Sequence, residues 1–293
     1  MKPSYILTKL GLKILFLISL IPLKLQYPIG RFFGSFLFII LKSRRNIVKK
    51  NIKLCFPELS LKEHNKLCKE VFHENTIGFL EAAYTWWQKP DSIFKNTDYH
   101  GIELIEEALK KGKGVLLIGA HFSNLELAAL LIGHKISLNV TYRMQNNPIV
   151  NAIITKKRKR YFNKTIDRKD TRSFLKSLKN NEVVWYAPDQ DYGMAHSIFA
   201  PFFGIDAATI SATSKLLQFN NSEALFLTHQ RNEFNRYQIT ISKFKDNLPS
   251  GSIETDAKII NQKIEKEIRK YPAQYMWTHR RFKSRPNNEP SIY

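Results

Sequence analysis

A chain of 293 residues with 43% hydrophobic side chains and a formal net charge of +21 is too apolar to remain disordered. It is long enough to bury a full core in one large domain or two small ones. Its two cysteines, Cys55 and Cys68, form neither a disulfide framework nor a metal-type spacing, which fits reduced thiols in a cytoplasm-facing protein. The charge points to an anionic partner: nucleic acid, a phospholipid surface, or an acidic protein or substrate.

The charge is unevenly placed. Residues 1–53 carry eleven Lys or Arg, and no acid precedes Glu58. Two uncharged apolar runs, 14–23 and 32–41, are interleaved with these cations. Each is about half the roughly 20 residues that a bilayer span requires. Extending the first run back to Tyr5 reaches spanning length and takes in Lys9 and Lys13, whose ammonium groups can snorkel to the headgroups. Lys24-Leu25-Gln26-Tyr27-Pro28 follows, not a small-residue cleavage site, so the segment reads as an uncleaved anchor. The expectation is an N-terminal membrane helix, spanning once or lying in the interface, and a basic juxtamembrane segment within residues 1–45. Residues 46–293 then form a globular domain, on the cytoplasmic side.

Beyond residue 57 the apolar periodicity becomes that of a globular domain. Helical spacing runs over 59–88, 101–111, 149–162, 171–178, 208–219 and 256–270. Short apolar stretches at 115–119, 137–142, 165–166, 183–187, 224–229 and 237–241 read as strands. Alternating strands and helices predict an α/β domain with a mainly parallel sheet flanked by helices. In such sheets, sites gather at the carboxyl ends of strands. His121 and Asp189 both fall there.

His121 ends the run Val115-Leu116-Leu117-Ile118-Gly119-Ala120, and Glu126 follows five residues later. Five is a poor spacing for two side chains on one helical face. His121 therefore belongs to the turn, with the helix beginning near Ser123. Ser123 and Glu126 could form a capping box there. Glu126 could equally fold back onto the imidazole, fix its tautomer and make it a general base.

Several blocks together resemble the lipid A late acyltransferases, the lauroyl, myristoyl and palmitoleoyl transferases of Gram-negative bacteria within the glycerolipid acyltransferase superfamily. The blocks are Gly119-Ala120-His121-Phe122 with Leu125-Glu126-Leu127, Tyr142-Arg143 with Asn147-Pro148, and Asp167-Arg168-Lys169-Asp170. They continue in Trp185-Tyr186-Ala187-Pro188-Asp189-Gln190-Asp191-Tyr192-Gly193, Pro201-Phe202-Phe203-Gly204, Ala207-Ala208-Thr209 and Gln274 through Lys283. The resemblance implies transfer of a fatty acyl chain from acyl carrier protein to a hydroxyl of a Kdo-modified lipid A precursor at the inner membrane. No cofactor or metal is implied. His121 would be the general base and Glu126 its orienting carboxylate. Arg168 and Arg143 would meet substrate phosphate, Asp189 would orient Arg168 or a sugar hydroxyl, and Asp191 is a further substrate-binding candidate.

The basic runs 156–160 and 280–285 read either as solvated faces or as sites for the acidic carrier or for lipid phosphates. A hydrophobic groove should lead from His121 toward the membrane side. Three other functions remain compatible with parts of the sequence: an acyltransferase acting on a lysophospholipid, a non-catalytic membrane scaffold, and a nucleic-acid-binding protein. The last lacks any recognisable nucleic-acid motif.

Overall fold

The computed structural model describes residues 3–89, 91–232 and 234–293. Its N-terminal apolar runs fold as two helices, α1 (Pro3–Ser19) and α2 (Leu23–Ile40), broken at Leu20–Pro22. This corrects the expected membrane helix: among the described residues no helix is long and apolar enough to cross a membrane. The break interrupts the apolar stretch, and Lys9, Lys13, Lys24 and Arg31 dilute both halves. Moreover, α2 has a protein partner. Gly30 and Gly34 lie one turn apart and bring it against α4 (Leu61–Trp87), where an added Cβ would come within 2.6 Å of Ile77 and 2.8 Å of the His73 backbone. The buried Gln26 and Tyr27 lie on the same helix. The opposite faces of α1 and α2 leave Leu7, Leu10, Leu17, Phe32, Phe36 and Ile39 exposed.

The basic helix α3 (Lys42–Cys55) buries Val48 and Ile52 and leads to α4, which starts at a capping box between Ser60 and Glu63. Then come α5 (Asp91–Lys95), β1 (Thr97–His100), α6 (Ile102–Lys110), β2 (Val115–Ile118), α7 (Leu125–Gly133) and β3 (Leu138–Tyr142). The chain continues through α8 (Pro148–Arg158), β4 (Lys164–Asp167), α9 (Thr171–Lys179) and β5 (Val183–Tyr186). The remaining elements are β6 (Ser197–Phe202), β7 (Ile205–Ile210), α10 (Ala212–Asn220), β8 (Glu223–Arg231), β9 (Tyr237–Lys243) and α11 (Ile253–Lys270).

Seven strands form one sheet in the order β1-β9-β8-β2-β5-β3-β4. Its neighbours pair in parallel except β8 with β9. The mainly parallel α/β sheet is thus the one expected. Both faces are covered, which is why β2 reads as an unbroken apolar run and not an alternating one. Leu116, Ile118, Val184 and Phe226 pack toward α9, α10 and α11. Val115, Leu117, Val183 and Trp185 pack toward α6 and α7.

The hairpin β6–β7 stands apart from this sheet and turns at Phe203 and Gly204, both at positive φ. Its second strand occupies residues 205–210, so the helix expected over 208–219 begins instead at Ala212.

Helix α4 also buttresses the turn after β2. A Cβ on Gly78 would collide with the Ser123 carbonyl. Gly78→Ala gains about 1 kcal/mol of helix propensity, but forcing backbone apart costs roughly 1–3 kcal/mol or more. A lowered thermal midpoint together with reduced turnover is the expected result. A midpoint at or above wild type would show that the contact is slack.

Candidate active site

β2 delivers His121 to the carboxyl end of the sheet, and β5, its parallel neighbour, delivers Asp189 beside it. The two are tightly joined. The His121 backbone N–H donates to Asp189 Oδ2 at 2.9 Å, and Nδ1 lies 2.6 Å from Asp189 Oδ1. Asp189 is 1% exposed, whereas the His121 side chain is 19% exposed. A carboxylate accepts both bonds, so the imidazole carries its proton on Nδ1 and leaves Nε2 as the basic atom.

Burial alone would raise the Asp189 pKa, but the His121 charge and the two hydrogen bonds outweigh it and hold the carboxyl at about 2. Burial alone would lower His121. The Asp189 charge and hydrogen bond reverse that and raise it above its ordinary value.

Two other imidazoles lie nearby. Burial takes His229 down to about 4, and its Nδ1 sits 2.8 Å from Asn124 Oδ1. His279 is lowered, mainly by burial, and its Nε2 accepts the Asp191 N–H at 3.1 Å. Of these three, His121 is the one raised.

Glu126 lies on the first turn of α7 and is not hydrogen-bonded to His121. Its carboxylate takes a bidentate pair from Arg158, with Nε at 3.0 Å and Nη2 at 2.6 Å. The Trp86 indole also donates to it at 3.3 Å. Nor does the Ser123 capping box form: α7 is preceded by Asn124, and the buried Ser123 hydroxyl has no partner among the described residues. Glu126 thereby ties α7 to α8 and α4. Beside it lies a cavity of about 10 Å³ lined by Thr85, Trp86, Leu130, Lys157, Tyr161 and Phe162. A space of that size is far too small for an acyl chain.

Arg143 directly follows β3 and Arg168 directly follows β4, both exposed. The Arg168 guanidinium lies 5.6 Å over the Tyr192 ring. Both cations act on the Tyr192 hydroxyl, whose pKa burial raises. The Asp167 and Asp170 carboxylates cap backbone N–H groups of Lys169 and Ser173. In strand order, then, His121, Asp189, Arg143 and Arg168 line one end of the sheet.

Asp191 is committed elsewhere. It accepts from the Gly193 N–H at 2.8 Å and from the Ser284 N–H and hydroxyl at 2.6 and 3.0 Å, fastening the C-terminal segment. That segment also clamps the His121 turn. The Met276 N–H donates to the His121 carbonyl at 3.0 Å, and the Ser123 N–H to the Gln274 carbonyl at 2.7 Å.

Trp185 lies edge-on to His121, with ring centroids 6.2 Å apart. It fits there because residue 119 has no side chain: a Cβ would lie 2.7 Å from its Nε1. That buried indole N–H has no partner among the described residues.

The two basic runs are not uniform faces. In 156–160, Arg158 turns inward to Glu126 and Lys157 sits 5.9 Å over the Trp87 ring, while Lys156, Lys159 and Arg160 are exposed. In 280–285, Arg281 is 2% exposed and donates to the Ala208 carbonyl and the Thr209 hydroxyl. Arg158 was missed in the sequence, where nothing distinguishes it from its cationic neighbours.

An imidazole held by a buried carboxylate, near the exposed cations Arg143 and Arg168, has the chemistry for acyl transfer to an anionic acceptor. The comparisons agree. The family model described as Bacterial lipid A biosynthesis acyltransferase matches residues 1–284. The lipid A biosynthesis lauroyltransferase of Escherichia coli K12 is 36% identical over 99% of this chain and 96% of its own length. The palmitoleoyltransferase of the same strain is 34% identical over 99% and 95%. Its myristoyltransferase is 28% identical over 99% and 91%.

Proposed function

The chain belongs to the bacterial lipid A biosynthesis acyltransferases, and from that premise we propose that it moves a fatty acyl chain from acyl carrier protein to a hydroxyl of a Kdo-modified lipid A precursor. The observation that carries the mechanism is the bond from His121 Nδ1 to Asp189, 2.6 Å long. With Nδ1–H committed, Nε2 takes the proton of the acceptor hydroxyl as its oxygen attacks the thioester carbon. The tetrahedral oxyanion collapses, the C–S bond breaks, and the imidazolium returns the proton to the departing thiolate.

Asp189 is the orienting carboxylate on this reading. Glu126 acts through Arg158, whose guanidinium, 24% exposed, it holds between α7 and α8. Arg143 and Arg168 meet acceptor phosphate, and Asp191 shapes the site by holding the C-terminal segment.

Contact with the membrane is interfacial. Exposed apolar side chains of α1 and α2 lie among Lys9, Lys13, Lys24 and Lys42. Such a surface suits the anionic inner leaflet.

The test is acyl transfer by the purified protein in detergent micelles. Labelled acyl carrier protein is the donor, and a Kdo-modified lipid A precursor competes with a lysophospholipid as acceptor. Transfer to the lipid A precursor is expected. Transfer to the lysophospholipid alone would keep the chemistry and overturn the acceptor.

A further inference from the structure

On the sheet face opposite α8, helices α9 and α10 enclose an open groove of about 490 Å³ lined by Arg172, Leu175, Lys176, Lys179 and Phe219. Arg172, Lys176 and Lys179 follow at spacings of four and three, which sets them on one face of α9. All three are exposed, as is Lys215 on α10. Residues 171–181 and 211–222 contain no acid. None of these four cations forms a salt bridge among the described residues. Phe219 stands 62% exposed, with the partly buried Leu175 lining the same groove. A solvated charged face does not need an aromatic ring in the open. A cationic stripe flanking an apolar centre has the composition of a protein-docking surface with a charged rim.

We propose that this groove docks an acidic helix of the protein that carries the acyl donor. The inference rests on the reading that the donor is an acylated carrier protein. Position favours a soluble protein over lipid as occupant. The apolar helix α1 packs against α4 and α8, and Asn147 at the start of α8 donates to Thr8 at 2.9 Å. The apolar helix α1 thus lies toward α8, whereas Leu37 and Phe38 of α2 pack against the core cluster that α9, α10 and α11 share. Arg172, at the start of α9, stands at the site's end of the sheet, and from there the groove runs along α9 to Lys179 and Phe219 at the opposite end.

The test measures equilibrium binding of carrier protein and transfer from two donors, acyl carrier protein and a small acyl-pantetheine thioester. The Lys176→Glu/Lys179→Glu variant is compared with the charge-matched Lys159→Glu/Arg160→Glu variant on the α8 side. The α9 variant is expected to raise both Kd and KM for the carrier by about tenfold or more at low salt, with the difference shrinking at high salt. Its turnover of the small thioester should match wild type, which also reports an intact fold. Carrier Kd and KM within twofold of wild type would overturn the proposal, as would an equal loss in the α8 variant. A wild-type protein that uses the small thioester but neither binds nor uses the carrier would overturn the donor reading, and the docking site with it.

Discussion

Replacing His121 with alanine is expected to reduce kcat by about 10²- to 10⁴-fold, the range general-base catalysis supplies. No neighbour can substitute. The His229 imidazole, near 4, is too weak a base and is engaged with Asn124. The His279 Nε2 already accepts the Asp191 N–H. The same substitution should cost stability. It leaves Asp189 Oδ1 without its side-chain donor while Oδ2 keeps the backbone N–H of residue 121. A buried carboxylate deprived of one partner costs roughly 1–3 kcal/mol. Thermal unfolding and single-turnover transfer on the same preparation separate the two effects. More than a tenth of wild-type kcat from the folded variant would place the base elsewhere.

Asp189→Asn should lower kcat by a similar factor, without removing any atom that meets substrate. Asp189 accepts on both oxygens, from the His121 N–H and from Nδ1–H. An asparagine offers one oxygen and one NH₂ group. Whichever way it turns, it presents a donor to one of two donors. If the NH₂ faces the ring, the tautomer inverts and Nε2 carries the proton, which disables it as a base. In a serine-hydrolase triad the corresponding change costs about 10⁴-fold. KM for the acceptor should change little, because Arg143 and Arg168 follow other strands. A large rise in acceptor KM with kcat intact would instead make Asp189 a substrate ligand.

Local pattern exposed the scaffold of this site and concealed its pairings. The apolar run 115–120 ending in a histidine was enough to place His121 at the carboxyl end of a parallel strand. The alternation of strands and helices gave the sheet. His121 and Asp189, however, are 68 residues apart and meet only because β2 and β5 are adjacent in register. Sequence spacing favours the nearer Glu126 as partner. Glu126 faces α8, and α7 starts at Leu125, one residue later than a Ser123 cap would set it. Arg158, 32 residues from Glu126, is chemically identical in sequence to the cations around it.

The N-terminus was misread for a different reason. Hydropathy records how apolar a run is, not what it faces. Gly30 and Gly34, four residues apart, were the available sign that α2 packs against protein. The hairpin β6–β7 escaped because its turn uses Phe203 at positive φ, a conformation composition does not announce.

The most direct measurement is the pH dependence of single-turnover transfer for wild type, Asp189→Asn and Glu126→Gln. Asp189 raises His121 above the ordinary value of 6.5, so the base is protonated and idle at acidic pH and becomes competent as pH rises through the raised value. Asp189→Asn removes that charge and leaves the burial that lowers the imidazole. Its acidic limb should move to lower pH, beneath a reduced plateau. Glu126→Gln should lower the plateau but leave the limb in place, because Glu126 bonds Arg158 and Trp86 and not the ring. A limb that moves with Glu126→Gln and stays fixed with Asp189→Asn would contradict the account and return the imidazole to Glu126.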